Sequence, residues 1–133
     1  MTVEQDVRAF VDDMFAAMNA VDGQRLASFI SDRPGASIIG SDPEEHWTKA
    51  DLLASPDPNE VSGEHVDARL NELSVDSSGD VAWAVGTARF VVRSSGKETP
   101  FRWTVVCVRE GDQWKLAHGH ASIGVPNEEL LKA

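Results

Sequence analysis

The chain has 133 residues, 22 of them Asp or Glu and 12 Lys or Arg, for a formal charge of −10, and it carries a single cysteine. That length fits one domain, residues 1–133, with a real hydrophobic core. An acidic chain without a Lys/Arg cluster argues against nucleic acid and anionic membrane surfaces as partners. No apolar run approaches the ~20 residues needed to span a bilayer, and Met1–Asp6 lacks the basic and apolar regions of a signal peptide. A lone Cys107 cannot form an internal disulfide, so the cytoplasm is the expected compartment.

Thr2-Val3-Glu4-Gln5 has the form of a capping box. Val3, Val7, Phe10, Val11, Met14, Phe15, Met18 and Val21 follow at helical spacing, which predicts a long amphipathic helix with a broad apolar stripe. Asp22-Gly23 ends it, and Asp22 can cap a second, short helix carrying Leu26, Phe29 and Ile30. Asp32-Arg33-Pro34-Gly35 stops that helix. Ala36–Gly40 reads as a short strand, and Ser41–Trp47 as a turn followed by a loop or short edge strand. Thr48-Lys49-Ala50-Asp51 repeats the capping-box form ahead of a third helix through Leu52-Leu53-Ala54, closed by a Ser55–Asn59 loop.

From Gly63 the pattern changes to long strands: roughly His65–Val75, Val81–Arg93, Thr99–Arg109 and Trp114–Ile123. Short turns rich in Gly, Asp and Ser join them into an antiparallel meander. The tail, Asn127–Ala133, is polar, a helical turn or disordered. Helices first and a meander afterwards make the class α+β. Val81, Trp83 and Val85 oppose Ala82, Ala84 and Ala88, so the strands are apolar on both faces and need cover on both sides. The helices cover one face; a second copy of the chain is the simplest cover for the other.

The last strand holds the sharpest functional pattern. Period-2 alternation puts Trp114, Leu116, His118, His120 and Ser122 on one side, a bulky anchor followed by three polar groups, as expected of a strand that leaves a core through the floor of a cavity. His118 and His120 stand about 6–7 Å apart along such a strand. An imidazole moves a proton near neutral pH, so His120 is the candidate base and His118 a candidate polariser. As metal ligands the pair needs a third partner such as Asp42, Glu44 or His46; nothing fixes one, and no metal and no cofactor is expected. Arg102 shares a strand face with Thr104, and Trp103 shares the other with Phe101, Val105 and Cys107. If Arg109 pairs with Trp114, Trp103 and Val105 join the histidines; if Val108 does, Arg102 and Thr104 join them. An arginine in the pocket would grip a carboxylate or enolate oxygen. Trp47 and Trp83 are candidate pocket walls for a flat apolar ligand, Trp114 a core anchor, and Cys107 a small buried hydrophobe.

Glu44-Glu45-His46-Trp47, Gly79-Asp80-Val81-Ala82-Trp83, Phe101-Arg102-Trp103-Thr104 and the run from Trp114 to Asn127, set in this order of elements, resemble the nuclear transport factor 2-like superfamily. The nearest branch is the SnoaL-like one, related to ketosteroid isomerases and polyketide cyclases. The resemblance implies a cone-shaped roll: three amino-terminal helices on a strongly curved, mixed but mainly antiparallel sheet, a pocket inside, and a homodimer through the outer sheet face. Its recurrent Arg-x-Thr tilts the open register toward Arg102 in the pocket. The chain departs from the steroid isomerases in having no tyrosine to act as oxyanion donor. Where their carboxylate base would fall it reads Ile39-Gly40-Ser41. The expected function is binding of a small apolar or carbonyl-containing molecule, with Trp47, Trp83, Trp103 and Ser122 at the ligand. The alternative is an isomerase, cyclase or lyase in which His120 abstracts a proton next to a carbonyl of a polyketide- or steroid-like substrate, aided by His118 or Arg102.

Overall fold

Helix α1 (Val3–Asn19) starts at the expected capping box: the Gln5 amide donates to Thr2 Oγ1 at 3.2 Å and the Thr2 amide to Gln5 Oε1 at 3.0 Å. The computed structural model describes residues 2–55 and 57–132; Met1, Pro56 of the Ser55–Asn59 loop and Ala133 of the tail lie outside the described residues. The apolar stripe of α1 buries Val7, Phe10, Val11, Met14 and Phe15. The helix ends before Val21, because Val21 turns to a left-handed φ of 57° and its amide reaches back to the Met18 carbonyl. Asp22 then caps α2 (Gly23–Ser28) by accepting from the Arg25 amide. Helix α3 (Lys49–Ala54) starts at the second capping box, Thr48 with Asp51.

The strands are β1 (Ser37–Ile39), β2 (His46–Trp47), β3 (Glu60–Val61), β4 (Glu64–Ser78), β5 (Val81–Val92), β6 (Glu98–Glu110) and β7 (Gln113–Ser122). They form one sheet in the order β2-β1-β7-β6-β5-β4-β3, antiparallel except where β1 runs parallel to β7. The four long strands are the predicted meander, with β4 continuing three residues beyond Val75 to a tight Gly79-Asp80 turn. The tail forms a short 3-10 helix over Asn127–Leu131. Three helices on a mixed, strongly curled sheet make the α+β cone.

The core lies between the helices and the inner sheet face. Phe10 meets Phe29 edge-on at 5.5 Å, and Phe15 meets Trp103 at the same separation. Trp103 therefore points inward, and with it Phe101, Val105 and Cys107. On β5 the alternation is as expected: Ala82, Ala84 and Ala88 are buried, while Val81, Trp83 and Val85 are exposed on the other face.

Candidate functional site

The Glu110–Gln113 turn sets Arg109 opposite Trp114, one of the two registers open in the sequence. That register holds for only two more pairs, Val108 with Lys115 and Cys107 with Leu116. Cys107 pairs with Leu116 but Val106 pairs with His118, so Ala117 is an extra residue, a bulge that reverses the alternation of β7. Trp114 and Leu116 point into the core. Beyond the bulge Gly119 and Ala121 take the inner positions, opposite Val105 and Trp103, and His118, His120 and Ser122 pass to the outer face with Val106, Thr104 and Arg102. The expectation that both imidazoles look inward with Trp114 and Leu116 is therefore corrected. The rings stand 6.3 Å apart, as strand spacing requires, with Ser37 Oγ 3.4 Å from His118 Nδ1. Arg102 donates to Ser122 Oγ at 3.2 Å on that same face. Trp83, expected as a pocket wall, also stands outside and is 37% exposed. Among the described residues no group of three His, Cys, Asp or Glu side chains is placed to hold a metal ion.

Inside the cone the bulge has a second consequence. Glycine and alanine now stand where alternating large residues would fill the space, and a cavity of about 140 Å³ remains. Met14, Phe15 and Met18 of α1 line one wall, Phe90, Phe101 and Trp103 of the sheet another, and Ile38, Trp47 and Leu52 a third. Trp47 and Trp103 are thus the predicted ligand-binding residues that the structure brings together. Thr104 and His120 border the cavity from the sheet, although alternation carries their side chains to the other face. The lining is otherwise apolar apart from Ser41, Glu45 and Asn59, and Asn59 donates one side-chain amide hydrogen to the Val66 carbonyl at 3.1 Å.

In the sequence Glu45 falls within the turn and loop or short edge strand expected over Ser41–Trp47. The structure folds it back over Gly40: a Cβ on Gly40 would lie 2.8 Å from the Glu45 Cβ, Cδ and Oε1 atoms. Oε1 accepts the Asp42 amide at 2.9 Å, and Oε2 lies 3.4 Å from the Trp47 indole nitrogen. Only a glycine lets a carboxylate settle on the backbone there. Gly40 next to Glu45 in a two-stranded turn was the available signal.

A second polar cluster is not evident from the sequence. Asp67 is 4% exposed and accepts from Arg93 at 2.6 Å and from Arg69 at 3.2 Å. Arg93 beside it, then Arg69, hold its carboxyl below the usual carboxylate range in spite of burial. His65 stands between two carboxylates, with Nδ1 2.9 Å from Asp57 and Nε2 3.0 Å from Asp67. The second contact is close but lacks hydrogen-bond geometry. Arg93 also donates to the Asn19 carbonyl at the end of α1. The cluster ties that helix end and residues 57–59 to β4. Through Pro58, Asn59 and Ala68 it also fixes one end of the cavity wall. The alternating triad His65, Asp67 and Arg69 was its only sequence trace. Cys107 is buried, and burial pushes its thiol up to about 12, so it has no nucleophilic character.

The profile of the SnoaL-like domain family matches residues 7–126. No curated protein matches the sequence. Among solved structures, a nuclear transport factor 2-like protein of unknown function from Pseudomonas putida is 18% identical over 97% of this chain and 93% of its own, with a TM-score of 0.76. A nuclear transport factor 2-like superfamily protein from Salmonella enterica is 19% identical over 94% and 93%, with a TM-score of 0.74. One from Cytophaga hutchinsonii is 15% identical over 93% and 100%, also at 0.74. At such identities the likeness is one of fold, and the family match rests on the sequence itself. The fold is that of the nuclear transport factor 2-like structures, and the profile matched over nearly the whole length shows that the chain belongs to the SnoaL-like domain family.

Proposed function

We propose that the protein binds a small apolar molecule in the cone and works as a homodimer in the cytoplasm. The observation that carries the reading is the cavity of about 140 Å³ walled by Trp47, Trp103, Phe15, Phe90 and Phe101. An engineered apolar cavity of about 150 Å³ takes benzene, whereas drug-sized ligands occupy roughly 300–1,000 Å³. The ligand is thus on the scale of one ring with a short substituent, and a four-ring steroid is too large. A proton-abstracting enzyme built on His118, His120 and Arg102 draws no support from side chains that leave the sheet on the far face. Those residues belong instead to the surface we assign to the second copy.

That surface presents Val81, Trp83 and Val85 at 38%, 37% and 48% exposure, an apolar strip on an otherwise acidic protein. A partner copy laid across it supplies the cover that two-sided apolar strands require. Sedimentation gives a dimer, and Trp83→Lys with Val85→Lys gives a monomer; a monomeric parent removes the dimer. For the cavity, toluene and cyclohexanone raise the melting temperature, and Ala121→Phe, which fills the space, abolishes the rise. No rise with any single-ring compound removes the binding reading.

A further inference from the structure

The cavity has one feature that an apolar container does not need. Glu45 is its only acidic wall residue among those described, half-buried beside Trp47 and held by the Asp42 amide and the indole N–H. Two carboxylate oxygens offer about four acceptor sites, and these two bonds take one on each oxygen. The remaining lone pairs can accept only from a donor. Among the described residues no Lys or Arg lines the cavity, so a carboxylate or phosphate ligand would find no permanent cation there. The formal charge of −10 repels anions before they reach the mouth and concentrates cations. The Trp47 ring beside the carboxylate adds a face that attracts a cation. Gly40 sets the position of this group: it alone leaves room for the carboxylate to fold over the backbone instead of extending into water.

We propose that the ligand is a compact apolar amine, its ring between Trp47, Trp103 and Phe101 and its ammonium group on the Glu45 carboxylate. Glu45 is then the specificity-determining residue of the site and Gly40 the residue that positions it. The inference rests on the binding reading above and extends it from an apolar body to a charged head.

The test compares three probes of one size: benzylamine, toluene and benzoate, each titrated at neutral pH and low salt by thermal shift and calorimetry. The unaltered protein prefers benzylamine to toluene by about tenfold or more and does not take benzoate; in 0.5 M salt the preference shrinks. Glu45→Gln keeps the side-chain shape and an acceptor for Trp47, and it brings benzylamine and toluene to within about twofold of each other. Toluene binding as well as benzylamine, or benzoate binding better than either, overturns the assignment of the head group while leaving the apolar cavity standing. Failure of all three probes overturns the cavity reading and this inference with it. If Glu45→Gln does not fold, the ranking and its salt dependence in the unaltered protein decide the matter.

Discussion

A glycine in the middle of a strand weakens it by about 0.5–1 kcal/mol relative to alanine, so local propensity alone predicts that Gly86→Ala stabilises the protein. The structure predicts the opposite sign. Gly86 lies on the inner face of β5, opposite Trp103 on β6 and Leu73 on β4, and the Trp103 indole lies across it. An added Cβ would stand 2.2 Å from the Glu72 carbonyl oxygen, 2.7 Å from Trp103 Cζ2 and 2.9 Å from Trp103 Cε2. The carbonyl is close because β4 bulges at Asn71, between the Leu70 and Glu72 pairings, and a backbone atom cannot swing aside as a flexible side chain does. Overpacking of this kind costs about 1–3 kcal/mol, and contact with backbone puts Gly86→Ala near the upper end. After subtracting the propensity gain, the net loss is about 2 kcal/mol, which corresponds to a melting temperature lower by roughly 5–10 °C. Urea unfolding shows it as a lower midpoint at unchanged slope. Trp103, pushed toward the cavity, also weakens toluene binding. A variant as stable as the parent, or more so, refutes the placement of Trp103 over Gly86 and the wall built on it.

Three further outcomes follow from the same coordinates. Asp67→Asn lowers stability by about 2 kcal/mol in urea unfolding, the scale of hydrogen bonds to charged groups, kept modest because Arg69 and Arg93 are half exposed and regain water. Asp67 is held below its ordinary 3.8, so its stabilisation is complete above pH 3.8 and lost as pH falls through the lower folded value; the variant and the parent converge in stability below that point. Val21→Gly relieves a left-handed β-branched residue that is 39% exposed and raises the urea midpoint by the equivalent of about 1 kcal/mol. Cys107, with its thiol pushed up to about 12, resists iodoacetamide at pH 8 in the folded protein and reacts only on unfolding.

Much of the fold was legible because its signals are local. Two capping boxes start two helices where Thr2 and Thr48 stand, and short glycine-containing turns space the strands of the meander. The face of Trp103, Phe101 and Cys107 was legible as a set, with only its direction open. The site was harder because one residue decides it. Lys115-Leu116-Ala117-His118 carries no glycine, proline or asparagine to mark a bulge, and pure alternation through Ala117 turns the histidines inward. Only pairing with β6 on one side and β1 on the other shows the slip, since it sets Gly119, not a histidine, opposite Val105 and Ile38 on the inner face. The Asp67 cluster was hard to read for a different reason. Beyond the alternating His65, Asp67 and Arg69 of β4, its members come from α1, the loop before β3 and the turn after β5, and no sequence spacing relates these to the triad.

The central claim is a hollow interior that takes a single-ring ligand, and methyl resonances report on it directly. Met14 and Met18 line the cavity from α1, whereas Val81 and Val85 lie on the opposite face of the sheet. In a carbon–proton methyl spectrum titrated with toluene, ring-current shifts are expected at Met14, Met18, Leu52 and Ala121, with Val81 and Val85 unmoved. Shifts confined to Val81 and Val85, or none at saturating toluene, would contradict the account.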